Sequence, residues 1–109
     1  MHEFGITRNI VAIVSEQAGL NKVIRVSLDI GKLSAIMPDA IRFCFDICCK
    51  GTPLENAVLQ INEIQGLAQC AVCGSQFEID QPFGTCACGS NQIWCIAGQE
   101  MKIKEMEII

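Results

Sequence analysis

The chain opens on Met1-His2-Glu3, and His2 is its single histidine. A terminal amine, the His2 amide nitrogen and the ring Nδ1 can close two fused small rings on one divalent ion. Glu3 can complete a planar set through its amide nitrogen or its carboxylate. A nitrogen-rich, tetragonal set suits Ni(II) or Cu(II), and intrinsic affinity alone would favour copper. Taken alone the signal is weak, because chain ends commonly fray. Removal of an initiator methionine requires a small second residue, so His2 is expected to keep Met1 in place with a free amine. Amines titrate near ~7.7–8.0 and imidazoles near ~6.5, so protons should compete with the metal between about pH 7.5 and about pH 6.

The second group that could do chemistry is sulfur. Of eight cysteines, four form two pairs, each followed by glycine: Cys70-Ala71-Val72-Cys73-Gly74 and Cys86-Ala87-Cys88-Gly89. Two thiolates at the tip of a tight turn converge on one ion, and the glycine lets the backbone turn and its amides face the sulfurs. Four thiolates satisfy Zn²⁺ with no open position, which is a structural site. Iron in a rubredoxin-like set is the competing occupant, and a reddish protein would reveal it. The second pair is one residue shorter than the first, so Cys95 is a candidate substitute for Cys86 or Cys88. Within Ile93-Trp94-Cys95-Ile96 it reads equally as a packed thiol in a strand. Around the pairs, from 65 to 99, stand no lysine and no arginine. The counterion release that drives nucleic-acid binding is therefore missing. Cys44 and Cys48 read as core thiols, with a second thiolate site that Cys49 could join as the less favoured alternative.

The elements that must position these residues follow from periodicity. From Phe4 to Gln17, Ile6, Ile10, Ile13 and Val14 recur at helical spacing, with Val11 beside them and Gly19 as the stop. Lys22 to Ile30 alternates and predicts a half-buried strand with Ile24, Val26, Leu28 and Ile30 inside. Pro38 to Lys50 predicts a second helix whose buried stripe is Ile41, Cys44, Phe45 and Cys48. Ala57 to Ile61 begins another strand. Met101 to Ile109 alternates with a slip, and a β-bulge near Lys104-Glu105 is expected. The expected class is α+β: two helices packed on a small, mainly antiparallel sheet, with an inserted zinc-ribbon-like four-cysteine domain. Its parts run 1–64, 65–99 and 100–109, the last strand returning to the first domain. A zinc segment of roughly 30 residues buries too little to fold alone, so metal binding should supply its folding free energy.

With 109 residues, half of them hydrophobic, the chain has a core to bury; its net charge of −4 disfavours anionic partners. No targeting signal or membrane span is evident, so a cytoplasmic location is expected. Catalysis has little basis: no second histidine, no tyrosine, no nucleophile–base pair and no phosphate-binding loop.

Together these pieces resemble the hydrogenase nickel-incorporation protein family (HypA/HybF). The resemblance covers almost the whole chain. It rests on Met1-His2-Glu3, Asp29-Ile30-Gly31-Lys32-Leu33-Ser34, Phe43-Cys44-Phe45, Gly51-Thr52-Pro53-Leu54-Glu55, the cysteine pairs and Gly98-Gln99-Glu100-Met101, in that order. It implies a nickel metallochaperone with a nickel-binding α/β domain and a zinc domain, serving NiFe-hydrogenase maturation without enzymatic activity of its own. It implies Ni(2+) ligation by His2, with Met1 and Glu3 as auxiliary ligands, and Zn(2+) held by Cys70, Cys73, Cys86 and Cys88. The implied partners are a hydrogenase-maturation GTPase and the NiFe-hydrogenase large-subunit precursor. A homodimer is also open to it, since nickel could be held by one chain or between two. The family usually has Cys-x-x-Cys in the second pair, so Cys86-Ala87-Cys88 is a departure in the zinc site. The alternative reading is a zinc-ribbon interaction module without metal delivery.

Overall fold

The computed structural model describes residues 2–109. In chain order the elements are α1 (His2–Ala18), β1 (Val23–Gly31), α2 (Pro38–Cys49), β2 (Val58–Ile64), β3 (Gly66–Cys70), β4 (Gln76–Ile79), β5 (Ile93–Ala97) and β6 (Met101–Ile108). The strands form two three-stranded sheets, ordered β2-β1-β6 and β4-β3-β5. Two compact units result. One holds residues 2–28, 37–62 and 102–109; the other holds 29–36 and 63–101. This is the expected α+β class.

In the first unit, α1 buries Thr7, Ile10, Val11, Val14 and Ala18. The expected stripe is thus rotated, and Ile13 lies 49% exposed. Thr7 can turn inward because its hydroxyl donates to the Glu3 carbonyl at 2.6 Å. An inward hydroxyl with its own acceptor leaves no desolvated donor behind. The helix also starts earlier than predicted, at His2 rather than Phe4, so the chelating residues lie in its first turn.

Pro38 begins α2, where a missing N–H is harmless. Its buried stripe ends on Cys49, with Cys48 only half-buried. Ile41, Phe45 and Cys49 repeat at four-residue intervals, which keeps one line on the helix facing inward. β1 departs from the half-buried expectation too, because everything from Val26 to Gly31 is buried. It is the central strand, so both of its edges are paired. Ser27 meets this burial by accepting from Asn62 Nδ2 at 3.0 Å. Two residues earlier on the same face, Arg25 donates to Gln60 of β2 at 2.9 Å and to Glu107 and Glu105 of β6 at 3.1 and 3.3 Å. One guanidinium so ties three strands across the sheet.

In the second unit, β3 is the middle strand, antiparallel to β4 with Leu67 opposite Glu78 and to β5 with Gln69 opposite Trp94. Around its start, backbones approach too closely for side chains. A Cβ on Gly31 would collide with the Gly98 carbonyl, and one on Gly66 with the Ile79 carbonyl. Gly98 itself has φ +102° and sits against the Gly66 backbone. The same segment is stitched by Leu33 N–H to Gly98 O at 2.8 Å and Gly31 N–H to Glu100 O at 2.7 Å.

Gly98→Ala should therefore destabilise the protein by about 1–3 kcal/mol through backbone strain, read as a lower melting temperature. Gly5→Ala is the opposite case: it lies within α1 with nothing within 4 Å of the added carbon. That change should stabilise by roughly 0.5–1 kcal/mol.

Candidate metal centre

The cysteine pairs sit on two turns of the second unit. Cys70 ends β3, and its carbonyl accepts from Gly74 N–H at 3.0 Å, closing a tight loop around Cys73. Gly74 takes φ +78°, a conformation strained for any side chain. This loop aims two amides at one sulfur: Val72 and Cys73 N–H lie 3.4 and 3.5 Å from Cys70 Sγ. The Cys73 and Val72 amides hold the Cys70 thiol below its ordinary range. Ser75, whose hydroxyl lies 3.2 Å from Cys73 Sγ, pulls the Cys73 thiol down to about 6.

The shorter pair forms a second turn in which Gly89 N–H donates to Cys86 O at 2.9 Å and Cys86 N–H to Ser90 O at 2.8 Å. Its single-residue spacing does not displace either cysteine. Cys73 and Cys86 sulfurs stand 3.5 Å apart, Cys70 and Cys88 sulfurs 3.8 Å, and all four lie within 4.8 Å of one another. A tetrahedron of Zn–S bonds of about 2.3 Å has edges of roughly 3.8 Å. The cluster thus has the dimensions and the donor set that suit Zn²⁺. The Cys88 N–H favours a thiolate on Cys86, but burial and the neighbouring thiols outweigh it and push that thiol up to about 11. Four crowded sulfurs cannot all ionise without a cation among them.

Cys95 stands apart from this group. It lies in β5 and its thiol donates to the Ala97 carbonyl at 3.0 Å. The helix cysteines are different again. Burial pushes Cys48 up, and pushes Cys49 up to about 12. Both are held as neutral thiols, Cys49 buried and Cys48 half-buried, and neither belongs to the sulfur cluster.

At the start of α1, the His2 side chain is 62% exposed while that of Glu3 is 12% exposed. His2 Nε2 lies 3.1 Å from Glu3 Oε2. The same oxygen accepts from Met37 N–H at 3.3 Å, at the residue preceding α2. Glu3 thereby places one carboxylate at the N-terminal ends of two helices, where negative charge is favoured. Its own N–H and the Met37 N–H hold its carboxyl below the usual range, helped by a charge on His2. The first N–H groups of a helix have no intrahelical acceptor. Metal binding at the amides of His2 or Glu3 would break no helical hydrogen bond. Met1, the remaining expected ligand, lies outside the described residues.

Sequence reasoning passed over two supporting groups. Ser75 follows Cys73 by two residues, and a hydroxyl at that spacing was a legible clue to thiolate stabilisation. The Met37 amide that meets Glu3 is 34 residues away, and no local pattern could have disclosed it.

The comparisons with known proteins converge. Residues 1–108 match the family model described as "Hydrogenase/urease nickel incorporation, metallochaperone, hypA". The hydrogenase maturation factor HypA of Nostoc punctiforme is 66% identical over 108 residues, covering 99% of this chain and 96% of its own. That of Geobacter metallireducens is 41% identical over 109 residues, covering 99% of both chains. A solution structure of a HypA protein superposes with a TM-score of 0.75 at 26% identity, covering 100% of this chain and 97% of the other. The solution structure of the Ni metallochaperone HypA from Helicobacter pylori, at 23% identity and a TM-score of 0.70, covers 98% of this chain and 97% of its own and shares the fold. The chain belongs to the HypA family of nickel metallochaperones and acts in hydrogenase maturation as a metal-delivery factor, not an enzyme.

Proposed function

We propose that this chain carries Ni(II) at its N-terminus, with His2 as the principal ligand, and holds Zn²⁺ structurally through Cys70, Cys73, Cys86 and Cys88. The observation that carries the reading is the contrast between the two sites. The His2 side chain is 62% exposed at the start of a helix whose first amides are not used in helical bonding. The four sulfurs lie within 4.8 Å of one another and leave no open position for a cargo. Cargo therefore belongs at the open nitrogen-rich end, and a resident ion at the closed cluster.

Glu3 has a supporting role in this scheme. Its Oε2 contact with Nε2 leaves the His2 Nδ1 for the metal, the atom required for a small chelate ring with the His2 amide. Nickel enters as the delivered species, and its choice over copper rests on supply and partners because the donor set alone favours copper. The recipient is the NiFe-hydrogenase large-subunit precursor, reached with a hydrogenase-maturation GTPase that supplies the nucleotide hydrolysis. No described helix is long and apolar enough to cross a membrane, in keeping with a cytoplasmic place for this exchange. Residues 2–28, 37–62 and 102–109 make up the nickel-carrying domain, and 63–101 with 29–36 the zinc domain.

His2→Ala should lower nickel affinity by at least about tenfold, on the order of one lost charged or coordinating contact. Zinc content and fold should be unchanged, and hydrogenase maturation should fail. Calorimetry finding the same nickel affinity in the variant would overturn the assignment and leave a zinc-ribbon interaction module without metal delivery. Wild-type nickel affinity should also fall as pH drops from about 7.5 to about 6, because protons compete with a metal for nitrogen donors.

The zinc assignment makes its own prediction. Cys73→Ser should reduce zinc from one ion per chain and unfold the second unit, seen by metal analysis and circular dichroism. The depressed Cys70 and Cys73 thiols favour the ionised cluster above the ordinary thiol value. That advantage is lost as pH falls through about 6, the value to which Cys73 is lowered. Zinc release, followed with a chromogenic chelator, should therefore accelerate below that pH.

A further inference from the structure

The strand order β4-β3-β5 leaves two edges in the second unit. Natural edge strands are usually blunted by a charge, a proline or a covering element. β4 carries Glu78 and so meets that rule. β5 does not: Ile93-Trp94-Cys95-Ile96-Ala97 holds no charged residue and no proline. It is also uncovered, since Trp94 is 52% and Ile96 40% exposed. Alternation along the strand puts these two side chains on one face, where Trp94 stands opposite Gln69 of β3. Such an edge is a template for a further strand, with backbone groups open to pairing and apolar side chains open to contact.

Charge decides what kind of strand can add there. In the first unit the acidic and basic side chains balance. The whole formal net charge of −4 therefore lies in the second, where Asp29, Glu63, Glu78, Asp80 and Glu100 stand against Lys32 alone. One of these carboxylates borders β5. Glu100 lines a cavity of about 350 Å³ together with Cys95, Ile96, Ala97 and Gln99. Its Oε1 accepts from Gly98 N–H at 2.6 Å, which holds the carboxylate in place. Among the described residues Glu100 makes no ion pair. An anchored carboxylate without a cation thus sits beside an apolar, unpaired strand.

We propose that β5 is a docking edge, on which an extended segment of a partner protein carrying lysine or arginine adds as a further strand of the sheet. Main-chain bonds to β5 hold the segment, and its apolar side chains cover Trp94 and Ile96. A basic side chain enters the cavity and meets Glu100. A cation over the exposed Trp94 ring adds to the same preference. An acidic segment would gain the backbone bonds but meet the repulsion of the whole unit. The inference stands apart from nickel ligation at His2, which belongs to the other unit.

The probe is a short fluorescein-labelled peptide of alternating lysine and valine, titrated with the zinc-loaded full chain and followed by anisotropy. It should bind saturably, and the unlabelled peptide should shift the emission of Trp94, the chain's single tryptophan. Replacing its lysines by glutamate, or methylating alternate backbone nitrogens to block pairing, should each weaken binding about tenfold or more. Trp94→Ala should do the same with zinc content and circular dichroism unchanged. Glu100→Gln keeps an acceptor for Gly98 and should weaken the lysine peptide about threefold or more. Hydrogen exchange gives a reading that needs no variant: the amides of β5 should gain protection when the peptide is added. No binding, equal binding of the glutamate or methylated peptide, unchanged affinity in Trp94→Ala or Glu100→Gln, or protection on β4 instead would each overturn the proposal. So would β5 amides protected by raising protein concentration alone, which would give this edge to a second copy of the chain.

Discussion

Four sulfurs within 4.8 Å of one another are the constraint on which the second unit depends. Thiolates at that spacing repel, and protonated thiols there leave an exposed pair of turns with little to hold it closed. The three short strands around them span five, four and five residues, too few to bury a self-sufficient core. A divalent cation resolves both problems, converting repulsion into four bonds and making metal binding part of the folding free energy. The surrounding backbone is arranged for this charge. The Val72 and Cys73 amides face Cys70, and the Ser75 hydroxyl faces Cys73.

Glycine packing is what brings the chain to those turns. The segment around Gly31, the start of β3 at Gly66 and the bend at Gly98 meet backbone to backbone. Gly31 and Gly98 belong to motifs that carry the family resemblance, and this geometry accounts for them. Each is held by a close approach that a methyl group would forbid, a different constraint from the ligand chemistry of the cysteines. Glu3 does comparable work in the first unit by joining the start of α1 to the residue before α2.

Most of this was legible in the sequence where one local rule sufficed. Both helices, β1, β2, β5 and β6, the α+β class and the four clustering cysteines follow from periodicity and spacing, whereas β3 and β4 are too short to show a period. What local rules missed was decided by tertiary context. The stripe of α1 turned because Thr7 found an acceptor four residues back, leaving Ile13 outside. The strand expected to be half-buried is buried on both faces from Val26 to Gly31, in the middle of its sheet. The shortened Cys86-Ala87-Cys88 turn looked unsuited to its site, yet the hydrogen bond from Gly89 to Cys86 and that from Cys86 to Ser90 compensate for the missing residue. Spacing describes what a turn usually does, whereas the positions of the sulfurs depend on all the bonds that shape it.

The two metal environments also explain each other. A carrier that bound its cargo in a closed soft cluster could release it only by unfolding around it. Separating the functions lets each obey its own chemistry. The thiolates take the ion that completes a tetrahedron and keep it. In the proposed scheme the exposed His2 offers nitrogen at a helix end, where a partner can approach. Reversibility at the N-terminus thus follows from the same exposure that makes the site weak in isolation.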